Sequence, residues 1–326
     1  MIRTKHAHLH VAAVTHPGMA GKQNEDRLAV SSYRMSESDP TRAVFAIISD
    51  GIGGHRAGEV AAEMAVERIS HIVAQSDALR PVEILDNAIR ETSDAIASKG
   101  KDDTQRLGMG TTCACAWVIG NQLFTASVGD SRIYLLRKGR LLQLTIDHTW
   151  VQEAVEKGIL DPQDARTHPN VHVIRRYLGS SQTPVADIRL RLAANETDTQ
   201  SRSNQGLRLL PGDVLLLCTD GLTDMLENAE IVQAVRGLDL QSAAQALIDL
   251  ACQRGGRDNI TVIMMLVPRG DLERNNSSMV KKKKKYWQWL WLGLAGLVLL
   301  VLLVSGLIWA IYHFVHPILP ILTPTP

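Results

Sequence analysis

Cysteine is scarce in this chain: four in 326 residues, with no Cys-x-x-Cys pair. The spacing of a thiolate zinc site or a redox pair is therefore absent. Cys113 and Cys115 stand two apart in a strand-like run and read as small buried hydrophobes on one face. No Gly-x-x-x-x-Gly-Lys-Ser/Thr loop is present, and Gly51-x-Gly53 has Arg56 where a dinucleotide fingerprint needs glycine. Basic residues are not spread over faces as a nucleic-acid binder would carry them, so no nucleic-acid partner is expected. No apolar leader opens the chain, because Met1 to His10 is polar and His-rich. His6, His8 and His10 read as a solvated, floppy tail rather than a zinc site. The body is expected in a reducing cytoplasm.

A net charge of +1 hides an asymmetry. Lys281 to Lys285 form a pure basic run, and Trp287 to Val315 contains no Asp, Glu, Lys or Arg. Without that end the body is mildly acidic. Leu290 to Ile311 is long enough to cross a hydrocarbon core of about 30 Å as a helix. Trp287, Trp289 and Trp291 at one end, with Trp309 and Tyr312 at the other, match interfacial belts. The lysines before the span, with no Lys or Arg after it, predict a cytoplasmic body and a short outer tail. The expected organisation is a cytoplasmic domain over 1–267, a polar and polybasic linker over 268–285, a transmembrane helix over 286–316 and a tail over 317–326.

No repeat or linker breaks the body. Val11 to Val14, Asp26 to Ser31, Val44 to Ser49, Cys113 to Ile119, Gln122 to Val128 and Ser131 to Arg137 are predicted strands. Gly120-Asn121 is a hairpin turn. Helices are predicted over Gly58 to Gln75, Val82 to Lys99 and Leu240 to Arg254, the last with Ala243, Ala244, Leu247, Ile248 and Ala251 at helical spacing. Asn195 to Gln205 reads as an exposed loop. Strand groups alternating with helix groups imply an α+β fold, with packed sheets between helices.

Two apolar runs end in a carboxylate, Ala43 to Asp50 and Asp213 to Asp220, and a third run follows Asp258. A carboxylate at the lip of a buried strand is costly to dehydrate unless a positive charge neutralises it. Several such lips brought together make an oxygen-only cage suited to Mg²⁺ or Mn²⁺. Gly51 lets a backbone carbonyl approach a cation closely. Paired divalent ions lower the pKa of a shared water and balance the charge on phosphoryl oxygens. A single Asp-Gly is more often just a turn. The ordered set carries the weight: Asn24-Glu25-Asp26, Asp50-Gly51-Ile52-Gly53-Gly54-His55, Gly108-Met109-Gly110-Thr111-Thr112, Val128-Gly129-Asp130-Ser131-Arg132, Asp220-Gly221-Leu222-Thr223-Asp224 and Arg257-Asp258-Asn259-Ile260-Thr261.

That series, from Val11 to Leu266, resembles the metal-dependent protein phosphatases (PPM, type 2C) in their bacterial Ser/Thr form, here with a C-terminal transmembrane anchor. The resemblance implies a four-layer α-β-β-α sandwich, two antiparallel sheets flanked by helix pairs, and hydrolysis of phosphoserine and phosphothreonine on proteins. It implies two Mg or Mn ions, with Asp50 bridging, Asp220 and Asp258 completing one position, and Gly51 (through its carbonyl) and Glu25 (through water) serving the other. Asp26 belongs to the same cluster, and Asp130 and Asp224, with Asp220, match a third, weaker position. Asp147 to Gly179 resembles the family's flap, with His168-Pro169 and Arg176 where its pattern expects them.

Two departures stand out. An arginine that grips the substrate phosphate usually lies five residues before the position of Asp26, and here that residue is Gly21. Lys22 or Arg27 is the expected substitute, although a lysine lacks the bidentate fork. Ile52 stands where some members carry a histidine, and His55 is expected to contact the site or support the Gly53-Gly54 turn. A cysteine-based chemistry fits poorly, because Cys252 and Arg257 enclose four residues, one too few for the loop it needs. Expected partners are phosphorylated proteins, a Ser/Thr kinase and its substrates, and the membrane, with a monomeric catalytic domain. The rival reading is a catalytically weak scaffold that kept the fold and lost its phosphate grip at Gly21. A phosphatase acting on a partner-switching regulator is a further alternative.

Overall fold

The computed structural model describes residues 1–21, 23–52 and 56–269, together with Ser305 and Trp309. Contacts divide the chain into Met1–Pro268 and Arg269–Pro326. Apart from Ser305 and Trp309, the expected membrane span lies outside the described residues, as do the lysine run, most of the linker, the outer tail, Lys22, the Gly53-Gly54 turn and His55. Among those described, no helix is long and apolar enough to cross a membrane.

Period-two burial explains the strands. In Arg42–Ser49, Ala43, Phe45 and Ile47 point into a core shared with helices Arg56–Gln75 and Pro81–Lys101. Val44, Ala46 and Ile48 point the other way, into a core between two sheets. Both faces are dry, so the strand reads as one unbroken apolar run. Its neighbour Cys113–Ile119 divides the same way, and Phe45 meets Trp117 edge to face at 6.3 Å. Cys113 and Cys115 are buried, with their sulfurs 3.4 Å apart. In the second sheet, Leu215, Leu217, Ile263 and Met265 enter the central core, whereas Leu216, Cys218, Val262 and Met264 pack towards helix Leu240–Gln253.

The larger sheet runs in spatial order Ile2–Arg3, Arg27–Arg34, Arg42–Ser49, Cys113–Ile119, Gln122–Val128 and Leu207–Arg208. The second runs Arg140–Gln143, Arg132–Arg137, Val214–Cys218, Ile260–Leu266 and His10–His16. All their pairings are antiparallel. Helix, sheet, sheet and helix thus form successive layers. Asp239 starts helix Leu240–Gln253 by accepting the amides of Gln241 at 3.1 Å and Ser242 at 3.0 Å.

Two local expectations are corrected. Residues 195–205 contain a helix, Asp198–Ser203, capped reciprocally by Thr197 and Gln200. The Thr-x-x-Gln signature was legible but outweighed by the polar composition. The N-terminus is tied down rather than floppy. The Met1 amino group donates to the carbonyls of Ala74 at 3.1 Å and Ser76 at 3.0 Å, and Ile2–Arg3 pairs at the sheet edge. His8 Nε2 lies 2.8 Å from the Gly120 carbonyl, and burial lowers its pKa.

Candidate metal centre and active site

Strand register brings the carboxylates together. Arg27 pairs with Ser49, so Asp26 before one strand and Asp50 after the other leave the sheet at the same end. Cys218 pairs with Val262, and the Thr219 amide donates to the Thr261 carbonyl at 3.2 Å, so Asp220 and Asp258 leave the second sheet side by side. A hydroxyl joins the two layers: Thr219 Oγ1 donates to Asp26 Oδ2 at 2.9 Å.

The quoted motifs supply the scaffold. Asp50 is clamped by the Met-Gly-Thr-Thr segment: Thr111 Oγ1 donates to its carbonyl at 2.7 Å, and its amide donates to Thr112 Oγ1 at 2.9 Å. Asn259 Oδ1 accepts the Glu25 amide at 2.7 Å, and its Nδ2 donates to the Pro17 carbonyl at 3.0 Å. Asn24 Oδ1 accepts the Asp26 amide at 3.1 Å. A Cβ on Gly51 would collide with the Gly58 backbone, and one on Gly58 would collide with Glu25. Both positions need glycine for helix Arg56–Gln75 to approach the Asp50 strand so closely.

Crowding shapes the electrostatics. Burial, then the charges of Asp220 and Asp258, push Asp26 up to about 7. Asp50 lies well above the usual carboxylate range through burial and the charges of Asp26, Asp220 and Asp130. Asp130 is raised likewise by burial, Asp220 and Asp147. Burial and Asp258 raise Asp220, and burial and Asp220 raise Asp224 to about 6. Asp26 Oδ1 and Asp220 Oδ1 are buried without hydrogen-bond partners. Orphaned acidic oxygens in a cluster this dense, with only oxygen donors at its centre, fit hard divalent cations.

Asp50, Asp220, Asp224 and Asp258 line a cavity of about 650 Å³ together with the guanidinium groups of Arg132, Arg166 and Arg257 and the imidazole of His172. Arg132 forks onto Asp147, with its Nη2 2.7 Å from Oδ2, and also reaches the Tyr134 hydroxyl. The flap closes one wall. Trp150 starts its helix, Trp150–Glu156, and stacks on His168 at 4.7 Å. Arg166 Nη2 donates to the Thr223 carbonyl at 3.1 Å, and His172 Nδ1 lies 3.3 Å from Asp224 Oδ2. Ligand atoms of His172, Asp220 and Asp224 all fall within 4.8 Å of one another. The expected cluster for the outer position did not include His172. Only the folded flap carries it there, and its sequence neighbours offer no signal. Arg27, an expected phosphate ligand, is engaged instead by Glu59 and donates to the carbonyls of Asn24 and Asp26 at 2.9 and 2.8 Å.

A family model described as protein phosphatase 2C matches residues 19–245. The chain belongs to the protein phosphatase 2C family, in its bacterial serine/threonine form. It is 33% identical over 257 residues to serine/threonine protein phosphatase PstP of Mycobacterium tuberculosis, covering 78% of this chain but only 44% of that protein. It is 34% identical over 262 residues to serine/threonine phosphatase stp of Listeria innocua, covering 79% of this chain and 95% of the relative. Among solved structures, the catalytic domain of a serine/threonine protein phosphatase PstP in complex with two manganese ions superposes with a TM-score of 0.64 at 32% identity, over 80% of this chain and 99% of that one. The Streptococcus agalactiae serine/threonine phosphatase superposes with a TM-score of 0.68 at 31% identity, over 79% of this chain and 99% of that one.

Proposed function

We propose that the protein hydrolyses phosphoserine and phosphothreonine on other proteins in a reaction that depends on two Mg²⁺ or Mn²⁺ ions. The observation that carries this reading is the convergence of Asp26, Asp50, Asp130, Asp220, Asp224 and Asp258 at one end of both sheets, close enough for the charge of one to act on another. Asp50, the Gly51 carbonyl, Glu25, Asp220 and Asp258 would hold the two ions, and Asp130, Asp220 and Asp224 a weaker third. When bound, the ions supply an activated water and neutralise phosphoryl oxygens. The chain's own task is positioning. Thr111 and Thr112 fix the Asp50 backbone, Thr219 orients Asp26, and Asn259 ties the Glu25 segment to the Asp258 loop. The test is an assay of residues 1–268 on a phosphothreonine peptide with Mn²⁺ and with chelator. Metal-dependent turnover is expected, and turnover that ignores metal, or none at any metal level, overturns the reading.

Gly21 favours a second reading, a phosphatase-like scaffold with little activity. Its φ is +71°, and nothing lies within 4 Å of where a side chain would begin. Tight binding of a phosphoprotein without turnover would decide for the scaffold.

In the proposed reading, residues 286–316 anchor the protein in the cell membrane behind the linker at 268–285, with the catalytic body cytoplasmic and residues 317–326 outside. Support comes from the uncharged stretch Trp287 to Val315 and the five lysines before it. Anchoring raises the effective concentration of membrane-bound phosphoproteins, a Ser/Thr kinase and its substrates among them. Protease added outside intact cells is expected to trim only the tail, and digestion of the body would reverse the topology.

A further inference from the structure

A phosphate monoester entering the cavity needs a cation other than those the carboxylates hold, and most side chains that offer one are already engaged. Arg132 is forked onto Asp147. Arg166 donates to the backbone of Thr223 and Asp224, and His172 sits on Asp224. Arg27 is taken up by Glu59 and two carbonyls. Arg257 is different. It lines the same cavity, is exposed, and has no hydrogen bond or ion pair among the described residues.

Its origin in the fold adds to this. The Met19 amide donates to the Gly256 carbonyl at 2.7 Å, and Asn259 Nδ2 donates to the Pro17 carbonyl at 3.0 Å. The loop bearing Arg257 is therefore stitched to the segment that leads into Gly21. A guanidinium from this loop stands beside Asp258, and its planar fork can take two phosphoryl oxygens at once.

We propose that Arg257 grips the phosphoryl group of the substrate, supplying from the neighbouring loop the guanidinium that Gly21 cannot. The inference rests on the phosphatase reading but is testable without turnover. Inorganic phosphate is titrated into the full chain loaded with Mn²⁺, with binding read by calorimetry, beside the KM for a phosphothreonine peptide. Arg257→Ala is expected to weaken phosphate binding and raise KM about tenfold or more, with a smaller fall in kcat. Arg257→Lys should fall between, because it keeps the charge and loses the fork. Mn²⁺ affinity should be unchanged in both, which separates loss of phosphate grip from damage to the neighbouring Asp258. Phosphate affinity that survives Arg257→Ala, or that falls instead on Lys22→Ala or Arg27→Ala, overturns the proposal. So does a wild-type chain that binds no phosphate. Phosphate binding by the wild type that is lost in Arg257→Ala, without turnover in either, would sink the catalytic reading and leave Arg257 in place.

Discussion

Asp50 and Thr112 hold each other twice: the Asp50 amide donates to Thr112 Oγ1 at 2.9 Å, and the Thr112 amide donates to the Asp50 carbonyl at 2.9 Å. Thr112 Oγ1 is also 2.7 Å from Ser131 Oγ, which joins the strand end of Asp50 to the loop of Asp130. One buried hydroxyl thus sets the position of two acidic residues.

Thr112→Val removes that hydroxyl and leaves the Asp50 amide without its acceptor. A loss of about 1–3 kcal/mol in stability is expected, the usual penalty for such an orphan. Activity should drop further than folding does, because Asp50 loses its seat, and Thr112→Ser should retain most of both. Denaturant melts beside Mn²⁺-dependent turnover check this.

Asp220 interacts electrostatically with Asp26, Asp50, Asp130, Asp224 and Asp258. Asp220→Asn is expected to lower turnover by more than about 100-fold, since even groups that merely orient ligands cost 10 to 100-fold when removed. Asp130→Asn should hurt less, chiefly at low metal concentration. Equal losses across a metal titration would contradict a peripheral place for Asp130.

Crowded acids make the metal-free protein sensitive to pH. Asp26 titrates near 7 and Asp224 near 6, both above the ordinary carboxylate value. Such groups bind more protons folded than unfolded, so their contribution to stability falls as pH rises through about 4 to 7. Added Mn²⁺ replaces those protons, so the gain in Tm on adding metal should be larger at about pH 7.5 than at about pH 5.5. Thermal scans with and without chelator test it, and a gain that is larger at the lower pH would contradict the crowding.

His172 reaches Asp224 from the flap at 3.3 Å. If its imidazole serves the outer position, His172→Ala should weaken the weakest Mn²⁺ binding step about tenfold. It should also remove metal-dependent protection of the flap from protease. Flap cleavage that is equally slowed by Mn²⁺ in both proteins would exclude a link between flap and ion.

Much of this was legible in the chain itself. Strands such as Cys113–Ile119 and Gln122–Val128 could be read because apolar side chains had to fill both of their faces around a two-residue turn. Asp50, Asp220 and Asp258 could be read because each carboxylate stood at the lip of such a run. The short helix at Asp198–Ser203 was hidden by its polar composition, although its Thr197 cap was present. The pairing of Ile2–Arg3 at a sheet edge was hidden because so short a strand has no pattern of its own.

Sequence alone determined the layers and the carboxylates, because burial periodicity and charge at strand ends are local properties. Only tertiary structure decided which cations remain available. Arg27 follows Asp26 directly, yet Glu59, 32 residues away, has taken its guanidinium, while Arg257 reaches the cavity lined by Asp50, Asp220 and Asp258 with no partner among the described residues. Which charge a side chain meets depends on neighbours distant in the chain, and these become neighbours only when both sheets have stacked.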